Sequence, residues 1–373
     1  MNVIFTCGGT GGHINPAIAV ANILKERDPN VNILFIGAQG HMEEKLVPQA
    51  GYALKTLPGS GLSRSLSLAG LKKNMTAVKC VLSAVSRCKK IIREFKPDVI
   101  VGTGGYASFP ALYAGSKLGV PTVVHESNAV PGLTTKLAAN IATRVLVCFE
   151  ESRKYYKKPE AVEVVGMPVR KEFLSLTRAE ARAELGLKDE KLVVSAFGSQ
   201  GARAMNTAMA ELMALEQANG FPFRHIHATG SFGKDWMPKL VKEKGVDYES
   251  CPAIDIREYI YNMPTLMAAA DVIIGRSGSA TCNEIAAAGT PCILIPSPNV
   301  TNDHQTKNAR VLADCGGAVL LPESEATAQR IYDEIMGLLN GSRRAQMSKA
   351  LRGLVKQDCA QHICDIIFEL SRR

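Results

Sequence analysis

Gly8-Gly9-Thr10-Gly11-Gly12 is followed at once by His13, and here the chain first offers chemistry. Backbone without side chains lets amides approach an anion closely, and a loop that opens a helix adds the amides of the helix N-terminus. Phosphate or diphosphate suits such a loop, and its four glycines in five residues exceed what a tight turn needs. The imidazole of His13 has the basicity to take a proton from a sugar hydroxyl near neutral pH, with a capping role as the alternative. The spacing is not GxGxxG, and Gly37-Ala38-Gln39 puts no acidic residue after the second apolar run, which disfavours a nicotinamide enzyme.

Three further segments carry convergent polar groups. His125-Glu126-Ser127-Asn128 follows an apolar run and supplies an imidazole, a carboxylate and an amide, or else a polar turn capping a helix that starts near Gly132. Arg276-Ser277-Gly278-Ser279-Ala280-Thr281-Cys282-Asn283-Glu284 joins an apolar run to an Ala-rich helix, and its small residues again suit a phosphate. Glu284, one turn into that helix, can accept two ribose hydroxyls, or simply complement the helix dipole. In Asp303-His304-Gln305-Thr306-Lys307-Asn308, Asp303 and Gln305 can read sugar hydroxyls, although Thr301, Asn302 or Asp303 also suit a helix cap.

These groups need a scaffold, and the hydropathy pattern supplies one. Short apolar runs alternate with longer amphipathic segments, the signature of βα units on parallel sheets. Strands are expected at residues 3–7, 33–37, 99–102, 122–125 and 144–149, then at 192–197, 224–228, 272–275, 292–296 and 318–321. A strand-like stretch at 162–169 ends in Gly166-Met167-Pro168, where a domain boundary is placed. Each half opens with a buried strand, a glycine turn and an Ala-rich helix, so two doubly wound α/β domains facing across a cleft are expected, with ligands at the strand carboxyl ends. From about Ser342 onward only helical periodicity remains, in a tail that can fold back on the domains.

Composition bounds the rest. A chain of 373 residues with 46% hydrophobic and 21% charged residues has ample apolar surface for two cores. Its formal charge of +9 favours anionic partners. Ten scattered cysteines with no CxxC pair give no zinc pattern and read as reduced core thiols. Residues 2–7 lack the charged start and long apolar core of a signal peptide, and no run of 18 apolar residues occurs, so membrane contact is expected to be peripheral. Between Leu71 and Lys96, the cations Lys72, Lys73, Lys79, Arg87, Lys89, Lys90, Arg93 and Lys96 interleave with Met75, Val78, Val81, Leu82, Val85, Ile91 and Ile92. Such an amphipathic basic stretch can sit on anionic lipid headgroups, or form an ordinary helix with a solvated basic face. No aromatic-basic pattern for nucleic acid is present, and the chain has one Trp.

Taken together, GGTGGH at Gly8–His13, GTGGY at Gly102–Tyr106, HESN at His125–Asn128, GMPVR at Gly166–Arg170, GSQGA at Gly198–Ala202 and RSG…NEIAAAGTP at Arg276–Pro291 resemble the MurG family. These are the bacterial UDP-N-acetylglucosamine:lipid I N-acetylglucosaminyltransferases of peptidoglycan synthesis. The resemblance implies a GT-B fold of two Rossmann-like domains and an inverting transfer of GlcNAc from UDP-GlcNAc to lipid I, giving a β(1,4) bond in lipid II. It divides the chain into an acceptor and membrane-associating domain at 1–165, a UDP-GlcNAc-binding domain at 166–341, and a helical tail at 342–373 packing toward the first. By motif position UDP-GlcNAc meets Thr10, Gly11, Gly12, Asn128, Arg170, Ser199, Ile260, Ser279, Ala280, Thr281 and Gln305, with Glu284 on the ribose. The acceptor diphosphate falls to Gly8, Gly9, Gly104, Gly105 and Tyr106, and the membrane surface to Lys72, Lys73, Lys79 and Arg87. His13 and Glu126 both remain as the general base. Where the family often shows two glutamines this chain has Gln305-Thr306. No cofactor is implied, and with no DxD-type pair after a strand, no dedicated metal site is expected. The implied location is the cytoplasmic face of the cell membrane, with other cell-wall synthesis proteins as further partners and no nucleic acid. A transferase with another acceptor, and a nucleotide-sugar epimerase or hydrolase on the same fold, are the rival enzymatic readings.

Overall fold

A computed structural model describes residues 1–58, 68–356 and 358–372, except for the side chains of residues 68–79 and of residue 301. The chain forms two compact units, one of residues 1–169 with 356–373 and one of residues 170–355.

The first unit carries strands β1 (Asn2–Thr6), β2 (Asn32–Ala38), β3 (Ala53–Leu57), β4 (Val99–Gly102), β5 (Thr122–Glu126), β6 (Arg144–Val147) and β7 (Val162–Val164). They form one parallel sheet in the order β3-β2-β1-β4-β5-β6-β7. Its α-helices are α1 (Gly11–Arg27), α2 (Glu43–Gln49), α3 (Leu68–Phe95), α4 (Ser108–Lys117) and α5 (Leu133–Ala139). Continuous apolar strands such as Val3-Ile4-Phe5 arise because both faces are covered. Val3 and Phe5 pack with Ile14, Val20 and Leu24 of α1, whereas Ile4 and Ile100 pack with Leu112 of α4 and Cys88 of α3. Successive helices thus lie on opposite faces where β1 meets β4, and the crevice beyond their carboxyl ends is where such sheets bind ligands.

The second unit carries β8 (Leu192–Ala196), β9 (Arg224–Ala228), β10 (Ile254–Arg257), β11 (Val272–Gly275), β12 (Cys292–Leu294) and β13 (Ala318–Leu320). These too are parallel, ordered β10-β9-β8-β11-β12-β13. Its helices are α6 (Glu172–Ser175), α7 (Arg178–Glu184), α8 (Arg203–Ala218), α9 (Met237–Glu243), α10 (Met263–Ala269), α11 (Ser279–Ala288), α12 (His304–Asp314), α13 (Ala328–Asn340) and α14 (Arg343–Leu354). Asp271, 2% exposed, accepts from Leu192 N at 2.9 Å and pairs with Arg178 at 2.9 Å and with Arg344, pinning β8, α7 and α14 to the start of β11.

The helical tail is shared out. Helix α14 packs on α11 in the second unit, whereas α15 (Cys359–Ser371) packs on α1 in the first, burying Ile363, Ile367 and Leu370. Two strands absent from the expected set, β3 and β10, are both sheet edges. Half of β3 faces outward, with Ala53 and Lys55 exposed, and Asp255 and Arg257 of β10 pair at 2.6 Å, so neither shows a continuous apolar run. Along α3 the apolar residues split by face: Val85 and Ile92 pack into the core, while Leu82 is 65% exposed, and Arg87 is exposed as well. The side chains of Lys72, Lys73 and Lys79 lie outside the described residues. Among the described residues no helix is long and apolar enough to cross a membrane.

Candidate functional site

In the first unit, three loops at the carboxyl ends of β1, β2 and β4 converge. Gly9 has φ +90°, Gly104 +110° and Gly105 +83°, backbone that favours glycine. A Cβ on Gly105 would fall inside the van der Waals shell of Gly8 O, so the loop after β4 rests directly on the turn after β1. Thr10 is exposed and opens α1, its carbonyl accepting from His13 N at 3.0 Å and Ile14 N at 3.2 Å. The amides of Gly11 and Gly12 stand in the first turn of this 17-residue helix, where no intrahelical acceptor exists.

His13 is partly buried and stacked on Gly104, where a Cβ would lie 3.0 Å from its Nε2. Its Nδ1 lies 2.9 Å from Gly8 O, and Thr103 Oγ1 donates to its backbone carbonyl at 2.7 Å. A carbonyl only accepts, so Nδ1 carries the proton and, in the neutral ring, Nε2 keeps the basic lone pair.

Glu43, which the sequence reading missed, anchors this turn from α2. Fully buried, its Oε1 accepts from Gly9 N at 2.9 Å and from Ala38 N at 3.1 Å. The Gly9 amide, expected on the acceptor diphosphate, is therefore turned inward. The only trace in the sequence is Gly37, where a Cβ would lie 3.0 Å from the Glu43 side chain. The Tyr106 hydroxyl, from the same expected set, is buried and has no hydrogen-bond partner among the described residues, and burial raises its pKa.

The His125–Asn128 segment is tied up locally. Glu126 Oε1 accepts from Asn128 N at 2.9 Å and Asn128 Nδ2 at 2.8 Å, and Oε2 accepts from Gly132 N, at the N-cap of α5, at 3.1 Å. Both oxygens of this candidate base thus serve the turn and the helix cap. His125 is buried, donates from Nε2 to Gly166 O at 2.8 Å, and has its pKa lowered by burial.

In the second unit, the turn after β8 places Ser199 at the surface between Gly198 (φ +91°) and Gly201 (φ +78°). Ser231 N donates to Ser199 O at 3.1 Å and Phe232 N to Gln200 O at 3.1 Å, so the loop after β9 backs this turn. After β11, Ser279, Ala280 and Thr281 form the first turn of α11 behind the Gly278 cap. Glu284 follows on the next turn. Burial pushes its carboxyl up from 4.5 to about 7, with the Arg170 guanidinium opposing the shift. Arg170 is exposed and lies over the Phe173 ring at 5.0 Å. Arg276 is structural, donating to Ile295 O at 3.0 Å and Pro296 O at 3.2 Å and pairing with Glu323.

Ile260 is 3% exposed between Tyr259 at 48% and Tyr261 at 85%, two rings 4.9 Å apart. Gln305 Oε1 accepts from Ser297 N at 2.8 Å, and Asp303 Oδ1 accepts from Thr306 Oγ1 at 2.6 Å, so this loop is braced by two of its polar side chains. Among the described residues no group of three or more His, Cys, Asp or Glu could hold a metal ion.

Residues 3–147 match the glycosyltransferase family 28 N-terminal domain, and residues 192–363 match its C-terminal domain. A UDP-N-acetylglucosamine–N-acetylmuramyl-(pentapeptide) pyrophosphoryl-undecaprenol N-acetylglucosamine transferase of Acetivibrio thermocellus is 38% identical over 374 residues, covering 100% of this chain and 99% of the relative. The protein of that name from Thermoanaerobacter sp. is 40% identical over 373 residues, covering 100% of both. Among solved structures, Acinetobacter baumannii MurG matches with a TM-score of 0.76 at 26% identity, over 99% of each chain. Both family domains in sequence order and relatives aligned from end to end make this chain a member of glycosyltransferase family 28, within its UDP-N-acetylglucosamine–N-acetylmuramyl-(pentapeptide) pyrophosphoryl-undecaprenol N-acetylglucosamine transferases.

Proposed function

We propose that the chain transfers GlcNAc from UDP-GlcNAc to undecaprenyl-pyrophosphoryl-MurNAc-pentapeptide, with inversion at the anomeric carbon. The observation that carries the mechanism is the pinned imidazole of His13, whose Nδ1 is held by Gly8 O and whose Nε2 is left basic. Glu126, with both oxygens engaged by its own loop, serves as scaffold, and His13 is the base.

His13 Nε2 takes the proton of the attacking MurNAc hydroxyl as its oxygen bonds to C1 of GlcNAc. The C1–O bond to the diphosphate breaks on the opposite face, and UDP leaves with the electron pair. A single displacement inverts C1 and forms no covalent enzyme intermediate. Amides at the start of α11, with Ser279, Ala280 and Thr281, suit the charge developing on the diphosphate, and Arg170 and Ser199 add donors. Glu284 takes the ribose hydroxyls, Ile260 the uracil through its backbone, and Gln305, Asn128, Thr10, Gly11 and Gly12 complete the donor contacts. Gly8, Gly104, Gly105 and Tyr106 line the acceptor diphosphate through backbone.

The exposed cations Arg87, Lys90 and Arg93 of α3, with exposed Leu82 on the same helix, support peripheral binding to the anionic cytoplasmic face of the membrane. The deciding experiment is transfer of radiolabelled GlcNAc to lipid I, with a diacylglycerol acceptor and an acceptor-free reaction beside it. Label in lipid II alone supports the reading. No transfer to lipid I refutes it, and UDP release at full rate without acceptor turns it into hydrolysis.

A further inference from the structure

Beneath β8 and β9 lies a chain of buried polar groups that the chemistry above does not use. Ser195, Asn206, Glu216, His225, His227 and Thr229 are each no more than 1% exposed. Asn206 Nδ2 donates to Thr229 O at 2.8 Å, and Asn206 Oδ1 faces His227 Nε2 at 3.2 Å. Ser195 Oγ sits 2.7 Å from both His227 Nδ1 and His225 Nε2, and His225 Nδ1 lies 2.8 Å from Glu216 Oε1. Most buried polar groups are compensated by hydrogen bonds, and these contacts are close enough for the protons to be counted along the chain.

Thr229 O only accepts, so the Asn206 amide nitrogen faces it and the Asn206 oxygen faces His227. His227 Nε2 must then carry a proton. The His227 ring is neutral, because burial and neighbouring His225 both push its pKa well down, so Nδ1 is bare and takes the one proton of Ser195. Ser195 has none left for His225, whose Nε2 must donate to it. The last contact, Glu216 to His225 Nδ1, therefore holds one shared proton, on whichever partner. From Thr229 to His225 every link has one direction, and that direction is set at Thr229.

Thr229 is also where this chain reaches the surface turn. A Cβ on Gly201 would collide with Thr229 O, one on Gly230 with Gly201 N, and one on Gly233 with the Asn206 amide. The residues just after Thr229 hydrogen-bond the Ser199 turn. We infer that Asn206, His227 and Ser195 are positioning residues for the sugar donor: they fix the Thr229 carbonyl, and it fixes the Gly198–Gly201 turn. Glu216 with His225 anchors the far end. This rests on the proposal that the Ser199 turn meets UDP-GlcNAc.

The test is titration of full-length wild type, Asn206→Ala and Ser195→Ala with UDP-GlcNAc, alongside kcat and KM for the donor and imidazole 15N spectra. Asn206→Ala should weaken UDP-GlcNAc binding on the order of tenfold, the scale of one lost buried hydrogen bond. Its kcat at saturating donor should stay within about threefold, because no group that touches the reacting atoms is changed. Ser195→Ala, which removes one oxygen and serves if Asn206→Ala does not fold, should weaken the donor in the same sense. In wild type, His227 should show a proton on Nε2 and a bare Nδ1. A folded variant with unchanged donor affinity, or His227 protonated only on Nδ1, overturns the inference. If wild type itself fails to bind UDP-GlcNAc, the donor site is wrong and the positioning role falls with it. Equal binding by wild type and both variants removes the positioning role alone.

Discussion

The first unit clamps its glycine turn with Gly105 from the loop after β4 and draws the Gly9 amide inward onto the buried carboxylate of Glu43. The second clamps its turn with Gly230 from the loop after β9, backed by the neutral Asn206 amide through Thr229. The backbone solution is shared, but the side chain behind it is an acid in one unit and an amide in the other. The Glu43 carboxyl takes the Gly9 amide and leaves an acceptor diphosphate to Gly8 and the loop after β4, whereas the Asn206 amide braces the second turn only through the Thr229 carbonyl. Under the proposed mechanism this divides the labour: the turn after β1 holds the base and helps line the acceptor diphosphate, and the second unit supplies most of the donor contacts.

The hardest test of that division is His13→Ala. It should lower kcat on the order of 10²- to 10⁴-fold with little change in thermal stability. Steady-state turnover with a melting curve checks it, and an active, stable variant would move the base elsewhere. Next come the clamps. Gly105→Ala and Gly201→Ala each drive a Cβ into a backbone carbonyl, whereas Gly9→Ala meets nothing within 4 Å and carries only positive-φ strain, about 1–2 kcal/mol. Denaturant unfolding should rank Gly9→Ala as the mildest of the three, and equal costs would show that the two loops do not press together. Glu43→Ala should destabilise by roughly 1–3 kcal/mol through the orphaned Gly9 and Ala38 amides, measured the same way. The same loss for Asn206→Ala would make charge irrelevant to the brace.

The most gradual expected effect is a pH dependence that originates in the second unit. Glu284 titrates at about 7 in the unliganded protein, raised from 4.5 by burial. Its ionised form accepts ribose hydroxyls, so UDP-GlcNAc affinity should rise with pH up to about 7, falling up to tenfold per unit below that value. Stability of the unliganded protein should move the other way. A carboxyl with a raised folded pKa gives full stability below its unfolded value and loses it as pH rises from 4.5 to about 7. Calorimetric titrations and melts across that range, repeated with Glu284→Gln, separate the two slopes.

Central features of this molecule were legible in the sequence because one physical requirement produced each. Val3-Ile4-Phe5 and Val272-Ile273-Ile274 are apolar throughout because both faces of their sheets are covered. The glycine turns stand out because only glycine allows the close backbone approach. What stayed hidden depends on partners distant in sequence. Strands β3 and β10 lie at sheet edges and carry exposed or charged residues, so no apolar run betrays them. Glu43 looks like any glutamate in a short helix, and only the fold brings Gly9 within 2.9 Å of it. Ser195, His225 and His227 fit an ordinary pair of buried strands until Asn206 and Glu216 of α8 are set against them. Glu126 offered a base and a cap from the same residues, and geometry gives both of its oxygens to the turn and cap.

Helix α15 belongs to the first unit although it follows the whole of the second along the chain. The first unit therefore completes its core only when Ile363, Ile367 and Leu370 reach the apolar face of α1, across the whole length of the second unit in sequence. Loss of α15 would leave that apolar face of α1 bare, so the last helix of the chain is a structural part of the first sheet's core.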